Sequence, residues 1–325
     1  LFRSHSQRLN AMRLQASALI GQGDVERGSA IARQGLEQAR QLGLQAVEGR
    51  LLNALSVAAG MQDDVVGSLE LDRQSLQILS ESGDRASEAI VRMNLGAGWT
   101  HLGHMANGQR EMEAALQLMR ANGDRVAEGV ALGNLSALAL WQGDAHRALA
   151  LAQSALDLAV ATQARDMETH AAIALGHALS AQGQREAARE AYGRAQTCAR
   201  AIDHPLQHDA SAGIARLALA AADTAAALAA LEPVLTGAAA RGSLEGTSGA
   251  RLIELTCHQA LARAGDARAT EWLHRAHAAL MTQAATIADP ALRQGFLQAV
   301  PVHREIVATF EGRATGPCTP HPDAA

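Results

Sequence analysis

The chain has 325 residues, 48% of them apolar but only 2% aromatic, and a formal charge of −5. It contains no lysine, so it can encode neither the lysine of a Walker phosphate loop nor a Schiff-base lysine. No run of like charge and no basic stripe with interleaved aromatics is present, which speaks against a nucleic-acid surface.

Alanine and leucine dominate the apolar set. These are the strongest helix formers, whereas strands draw on β-branched and aromatic residues. Of seven prolines, four (Pro301, Pro317, Pro320 and Pro322) lie in the last 25 residues, so the body of the chain is almost free of helix breakers. The composition predicts an all-α protein. Cys198, Cys257 and Cys318 are odd in number and far apart. They predict free thiols rather than a disulfide framework or a zinc knuckle, and hence a reducing, cytoplasmic setting. No uncharged run of 18 apolar residues and no signal peptide is visible. The chain opens without methionine, and Leu1 to Asn10 are already polar-helical in pattern. The expectation is a piece of a longer protein.

Taken in chain order, a Gly-Asp-like turn recurs at Gly23-Asp24, Asp63-Asp64, Gly103-His104, Gly143-Asp144, Gly183-Gln184, Ala222-Asp223 and Gly265-Asp266. The first five are spaced by 40 residues and the next gaps are 39 and 43. A second stop falls at Gly43, Gly83 and Gly123. Glycine suits the left-handed residue that ends a helix, and aspartate suits the N-cap of the next one. Each unit therefore reads as helix, tight turn, helix, glycine stop. Small residues recur at Ala16, Ser56, Gly96, Ser136 and Gly176, then at Gly28, Ser68, Gly108, Ala148 and Ala188, then at Gly35, Ser75, Ala115, Ala155 and Ala195. They mark close helix contacts. Leucines beside them (Leu55, Leu95, Leu135, Leu175; Leu36, Leu76, Leu116, Leu156) fill the space between hairpins. Such a unit cannot bury its apolar face alone and must stack on its neighbours.

This spacing, clearest from Gly133 to Asp144 with Ala148, Ala155 and Leu156 following, resembles the tetratricopeptide repeat over residues 7 to 281. The resemblance implies a right-handed α-solenoid of about seven 40-residue hairpins. The sequence departs from the family in its long unit, in the missing proline at the end of the second helix, and in Leu and Ala at most aromatic positions. The sixth and seventh units are degenerate, with Pro233 inside a second helix and His258 where a small residue is expected. The repeat domain is expected to span 1–311, with 282–311 as a helical cap and 312–325 as a Pro/Gly-rich disordered tail. The run from Ile287 to Leu297 and from Val300 to Ile306 is similar to the C-terminal segment of large bacterial signalling proteins, in which an ATPase, cyclase or winged-helix module precedes a repeat tail.

The resemblance further implies that the first helix of each hairpin lines a concave groove. The family's groove positions fall on Asn10, Arg13 and Ser17, on Arg50, Asn53, Val57 and Met61, on Met93, Ala97 and His101, on Val130, Ala137 and Trp141, and on His170 and His177. The site residues expected to touch a partner are Arg13, Arg50, Asn53, Met61, Met93, His101, Trp141, His170 and His177. Each of these positions can equally serve packing between repeats. Two His-x-x-His pairs, His101 with His104 and His274 with His277, share a helical face. Zinc would need a third ligand, and neither pair has a cysteine or zincin glutamate nearby. The turn aspartates are explained as caps. No catalytic residue, metal or cofactor is expected. The reading is a regulatory, non-enzymatic repeat region that binds a peptide, a partner protein or other domains of its own chain, without direct nucleic-acid or membrane binding. A free-standing adaptor and a solenoid that senses a small-molecule effector are the alternatives.

Overall fold

The computed structural model describes residues 2–241, 244 and 246–312. Among the described residues there are sixteen α-helices and no strand. Fourteen of them form seven antiparallel hairpins in chain order. These are α1 (Phe2–Gly21) with α2 (Val25–Gln41), α3 (Gln45–Met61) with α4 (Val65–Ser82), and α5 (Arg85–His101) with α6 (Met105–Asn122). Then follow α7 (Arg125–Trp141) with α8 (Ala145–Thr162), and α9 (Arg165–Ala181) with α10 (Arg185–Ala201). The last two are α11 (Gln207–Ala220) with α12 (Thr224–Arg241), and α13 (Ala250–Arg263) with α14 (Arg268–Thr286); α15 (Pro290–Gln298) and α16 (Pro301–Phe310) complete the chain. Pro233 lies inside α12, as the sequence requires.

All seven turn positions carry a positive φ: Gly23, Asp63, Gly103, Gly143, Gly183, Ala222 and Gly265. The next residue closes each turn with an N–H donated five residues back. Asp24 reaches Leu19 at 2.9 Å, Asp64 reaches Ala59 at 3.0 Å, and Asp144 reaches Ala139 at 2.9 Å. This is the six-to-one bond of a Schellman motif. The same aspartate then caps the second helix: Asp64 accepts from the Gly67 N–H at 2.8 Å, Asp144 from Arg147 at 2.9 Å, and Asp223 from Ala226 at 2.9 Å. One residue thus ends one helix and starts the next, which explains why the pair recurs with the period of the repeat.

Asp63, Gln163, Asp203 and Ala222 hold left-handed positions without being glycine. A left-handed conformation costs an L-residue roughly 1–2 kcal/mol, and alanine has no polar side chain to recover any of it. Ala222→Gly is therefore expected to stabilise the protein by about 0.5 kcal/mol, after subtracting the entropy that glycine gains when unfolded. Gly143→Ala, at a turn where an added methyl would meet nothing within 4 Å, should destabilise by about 1 kcal/mol. Paired thermal melts check this; shifts of the same sign would refute it.

The small residues form the crossing inside each hairpin. Ser56 Oγ lies 3.0 Å from Ser68 Oγ, and Ser136 Oγ donates to the Ala148 carbonyl at 2.9 Å. A Cβ on Gly28 would stand 2.8 Å from the Ala16 carbonyl oxygen, and one on Gly108 would stand 2.9 Å from that of Gly96. In the seventh hairpin His258 takes this position and its Nδ1 bonds the Ala269 carbonyl at 2.9 Å. The larger residue keeps the same helix-to-helix link.

The chain divides into two compact units. The first comprises residues 1–124 with 285–293, and the second comprises 125–284 with 294 onward. The first unit holds hairpins one to three, with Leu9, Leu36, Leu51, Leu52 and Leu55 in its core. In the second unit, Leu231, Val234, Ile253, Cys257, Leu261 and Trp272 form a core under hairpins six and seven. Phe296 is fully buried there, and its carbonyl accepts from His303 Nδ1 at 2.8 Å. In the first unit the Arg293 guanidinium bonds the Ile287 carbonyl at 2.7 and 2.9 Å. Cys198 and Cys257 are free thiols, and burial pushes the Cys257 thiol up to about 12. The expected tail beyond Gly312, with Cys318, lies outside the described residues. No helix among the described residues is long and apolar enough to cross a membrane.

Candidate binding site

The first helices are amphipathic in a particular way. Their leucines and valines at Leu51, Leu55, Val91, Leu95, Leu132 and Leu135 are buried. A second row of apolar residues on the same helices is not. In the first unit Leu14, Val57 (41% exposed), Met61 (51%) and Ile90 face solvent; in the second, Val126, Val130 and Trp141 (38%) do. Val57 and Met61 are four apart, as are Val126 and Val130, so each pair forms one patch on its helix.

Polar residues border the first unit's patch. Arg50 on α3 is a crosslink between three first helices. Its Nε donates to Asp84 Oδ2 at 2.7 Å and to Ser87 Oγ at 3.2 Å, and its Nη1 donates to Asn10 Oδ1 at 3.3 Å. Burial alone would raise Asp84, but the bonds from Ser87 and Arg50 hold its carboxyl below the ordinary value. Arg13 on α1 is half-buried beside them. Desolvation, and then the Arg50 charge, lower its pKa, with Asp84 pulling the other way. Asn53 turns toward its own hairpin and donates to Asp72 Oδ1 at 3.3 Å. Asp72 is 1% exposed. Burial raises its carboxyl to about 7 despite hydrogen bonds from Ser56 and Asn53. Met93, 6% exposed, belongs to the core and does not line the face. His101 is half-buried at the end of α5.

In the second unit, Trp141 ends α7. His170 on α9 is exposed, and its ring meets His204 edge-on at 6.4 Å. Partial desolvation by the groups packed around the ring, and then the His204 charge, lower its pKa, with Asp166 pulling the other way. His177 is held from within. Its Nδ1 lies 2.6 Å from the Tyr192 hydroxyl, and burial, then Arg216, pushes it down to about 3, so the ring is neutral. The neutral ring and the Tyr192 hydroxyl share this hydrogen bond, and burial raises the tyrosine above its ordinary value.

The family-based groove positions therefore divide into three kinds. Met61, Trp141 and His170 are exposed. Arg50 and Asn53 are half-buried and hydrogen-bonded to polar partners, and Arg13 and His101 are half-buried. Met93 is core, and His177 is tied to Tyr192. Sequence reasoning missed the Asp72 network and the Tyr192 contact. Both carry a signal in the 40-residue register. Asp72 falls in one column with Ala32, Met112, Ala152 and Tyr192, all buried, so a carboxylate there must be buried too. Among the described residues no group of three or more His, Cys, Asp or Glu side chains is placed to hold a metal ion.

No family model matches the chain, and no curated protein sequence does. Solved structures do match. A Rap protein complexed with Competence and Sporulation Factor is 12% identical with a TM-score of 0.62, over 95% of this chain and all of that one. The apo form of RapI is 8% identical with a TM-score of 0.67, over 86% of this chain and 98% of that one. A signal-transduction ATPase with a tetratricopeptide repeat sensor, from Pyrococcus horikoshii, is 15% identical with a TM-score of 0.60, over 90% of this chain and 44% of that one. The chain has the fold of the tetratricopeptide-like helical-repeat proteins.

Proposed function

We propose that this chain is a regulatory repeat domain that binds an extended peptide or a partner protein on the faces of its first helices. The observation that carries the reading is the patch of exposed apolar side chains on a first helix within each unit: Val57 with Met61 on α3, and Val126 with Val130 on α7, with Trp141 at the end of α7. A repeat array spends its second helices and leucines on stacking, and the remaining face is the surface on which a partner is read. Exposed aromatic and thioether side chains beside arginine are the usual anchors of such surfaces. Solved structures of the same fold include a Rap protein with a bound factor and a signalling ATPase with a repeat sensor, which favours a regulatory role. On this reading the chain acts in the cytoplasm by binding rather than catalysis. It works as part of a larger signalling protein, and a same-chain domain is an acceptable partner.

Selection from a displayed peptide library tests the reading. Binders obtained on the parent should lose about 30-fold or more in affinity on Trp141→Ala or Met61→Ala. Melting should hardly move, because both side chains are exposed. Selected peptides that bind both variants as tightly as the parent would place the site elsewhere.

A further inference from the structure

Among the described residues five serines are buried: Ser29, Ser56, Ser75, Ser136 and Ser211. Four of them are hydrogen-bonded, Ser56 with Ser68, Ser75 to the Gly49 carbonyl, Ser136 to the Ala148 carbonyl and Ser211 with Gln196. Ser29 on α2 is 5% exposed, and its hydroxyl has no partner among the described residues. A buried hydroxyl ordinarily finds one. Ser29 instead lines a cavity of about 200 Å³ between α2, α3 and α4. The floor of this cavity is apolar: Leu55 and Ala58 are buried and Leu71 is half-buried. Arg33 and Asp64 line it too, and both are exposed. Arg33 lies one turn after Ser29 on the same face of α2, and among the described residues it makes no side-chain hydrogen bond or ion pair. Asp64 caps α4 through Oδ1, which takes the Gly67 N–H at 2.8 Å. In the first hairpin the equivalent Asp24 also uses its Oδ2, on Arg27 Nη1 at 3.0 Å. Gly67 has no side chain to do this, so among the described residues Asp64 Oδ2 takes no hydrogen bond.

We propose that this cavity binds a free α-amino acid with a small aliphatic side chain. Charge selects the class. Arg33 and Asp64 line one cavity without bridging each other, and a zwitterion satisfies both, its carboxylate on the guanidinium fork and its ammonium on Asp64 Oδ2. The Ser29 hydroxyl can donate a further hydrogen bond to the carboxylate. Size selects the ligand too: the cavity is smaller than the roughly 300 Å³ at which sites for drug-sized molecules begin. The floor of Leu55, Ala58 and Leu71 takes the apolar side chain. The polar groups belong to α2 and to the cap of α4, not to the exposed patch of α3, so binding here does not depend on a partner at that patch.

The test uses four probes: L-valine, N-acetyl-L-valine, L-valinamide and glycine. The readout is the methyl signals of Leu55, Ala58 and Leu71 in a proton–carbon NMR titration. Valine is expected to shift them saturably. N-acetylvaline has no ammonium and valinamide has no carboxylate, so each should bind about tenfold or more weakly. Glycine, without the apolar group, should also bind more weakly than valine. Arg33→Gln and Asp64→Asn should each weaken valine by a similar factor. Neither should lower the melting temperature, because Arg33 is exposed and asparagine caps a helix as well as aspartate does. Each variant should act only on its own end of the ligand. Valinamide should bind Arg33→Gln as it binds the parent, and N-acetylvaline should bind Asp64→Asn as it binds the parent. Ser29→Ala should weaken valine with the melting temperature unchanged or raised. No saturable shift with valine, or shifts confined to residues away from the cavity, would overturn the proposal. So would any of the other three probes binding as tightly as valine, or valine binding that survives both charge variants.

Discussion

Replacing Asp72 by asparagine is expected to stabilise the protein at pH 8 and to flatten its stability between pH 3.8 and about 7. The carboxyl is 1% exposed and is held by neutral groups alone, the Asn53 amide and the Ser56 hydroxyl. No cation repays its desolvation, so burial lifts it from 3.8 to about 7. A native-state pKa above the unfolded one means that the folded chain binds more protons through that window. Stability is then full below pH 3.8 and falls as pH rises toward 7, by about 1 kcal/mol for each pH unit. Asparagine keeps the shape and the acceptor for Asn53, and its own amide can donate to Ser56, without a charge to bury. Chemical denaturation of both proteins at pH 5 and pH 8 checks this. The variant should gain several kcal/mol over the parent at pH 8 and little at pH 5. Asp209, raised to about 6 by burial, gives both proteins a residual slope of the same sign, so the difference between them is the quantity to read. Equal slopes would refute the assignment.

Why the turns were legible in the sequence and the partner contacts were not follows from the range of the forces involved. A turn is made by a left-handed residue and a cap within six positions of each other, so Gly-Asp pairs announce it. Even Asp63 and Ala222 could be placed by register, without glycine. Hairpin crossings are nearly as local, twelve residues apart, and the small residues that allow them stand at fixed spacing. The fate of a polar groove residue depends on what stands 15 to 40 residues away. Arg50 reads as a free guanidinium until Asp84 is set 2.7 Å from it. His177 reads as a groove histidine until Tyr192 reaches it. Tyr192 can be there only because Gly176 and Gly213 flank its ring; a Cβ on either would come within 2.5 Å of its Cε1.

Met93 shows the limit of carrying positions between repeats. Its column holds Arg13, Asn53, Gly133 and Ile173, which straddles the edge between face and core. Polar members stay at the edge and apolar members turn inward, so Ile173 and Met93 are buried while Arg13 and Asn53 are half-exposed. The column fixes where the Cα lies, and the side chain's own chemistry decides which way it goes.

The same register makes Gly96 and Ala148 places where size cannot be added. Gly96→Leu is expected to cost roughly 1–3 kcal/mol, and Ala148→Leu a similar amount. A Cβ on Gly96 would stand 2.5 Å from Met112 Cγ and 3.0 Å from the Gly108 carbonyl oxygen. The methionine is flexible and can give way to one methyl, but the carbonyl belongs to α6, so a branched side chain must push the two helices of the third hairpin apart. Ala148 is fully buried, and its carbonyl accepts the Ser136 hydroxyl across the fourth hairpin. A leucine there would open the crossing and break that bond. Gly133 is the control. It too lies within a first helix, but an added Cβ would meet nothing within 4 Å, so Gly133→Leu should gain helix propensity and raise stability by up to about 1 kcal/mol. Thermal melts of the three variants decide the matter. If all three move together, or if the Gly96 and Ala148 variants melt with the parent, the small residues are not the crossings and the register fails.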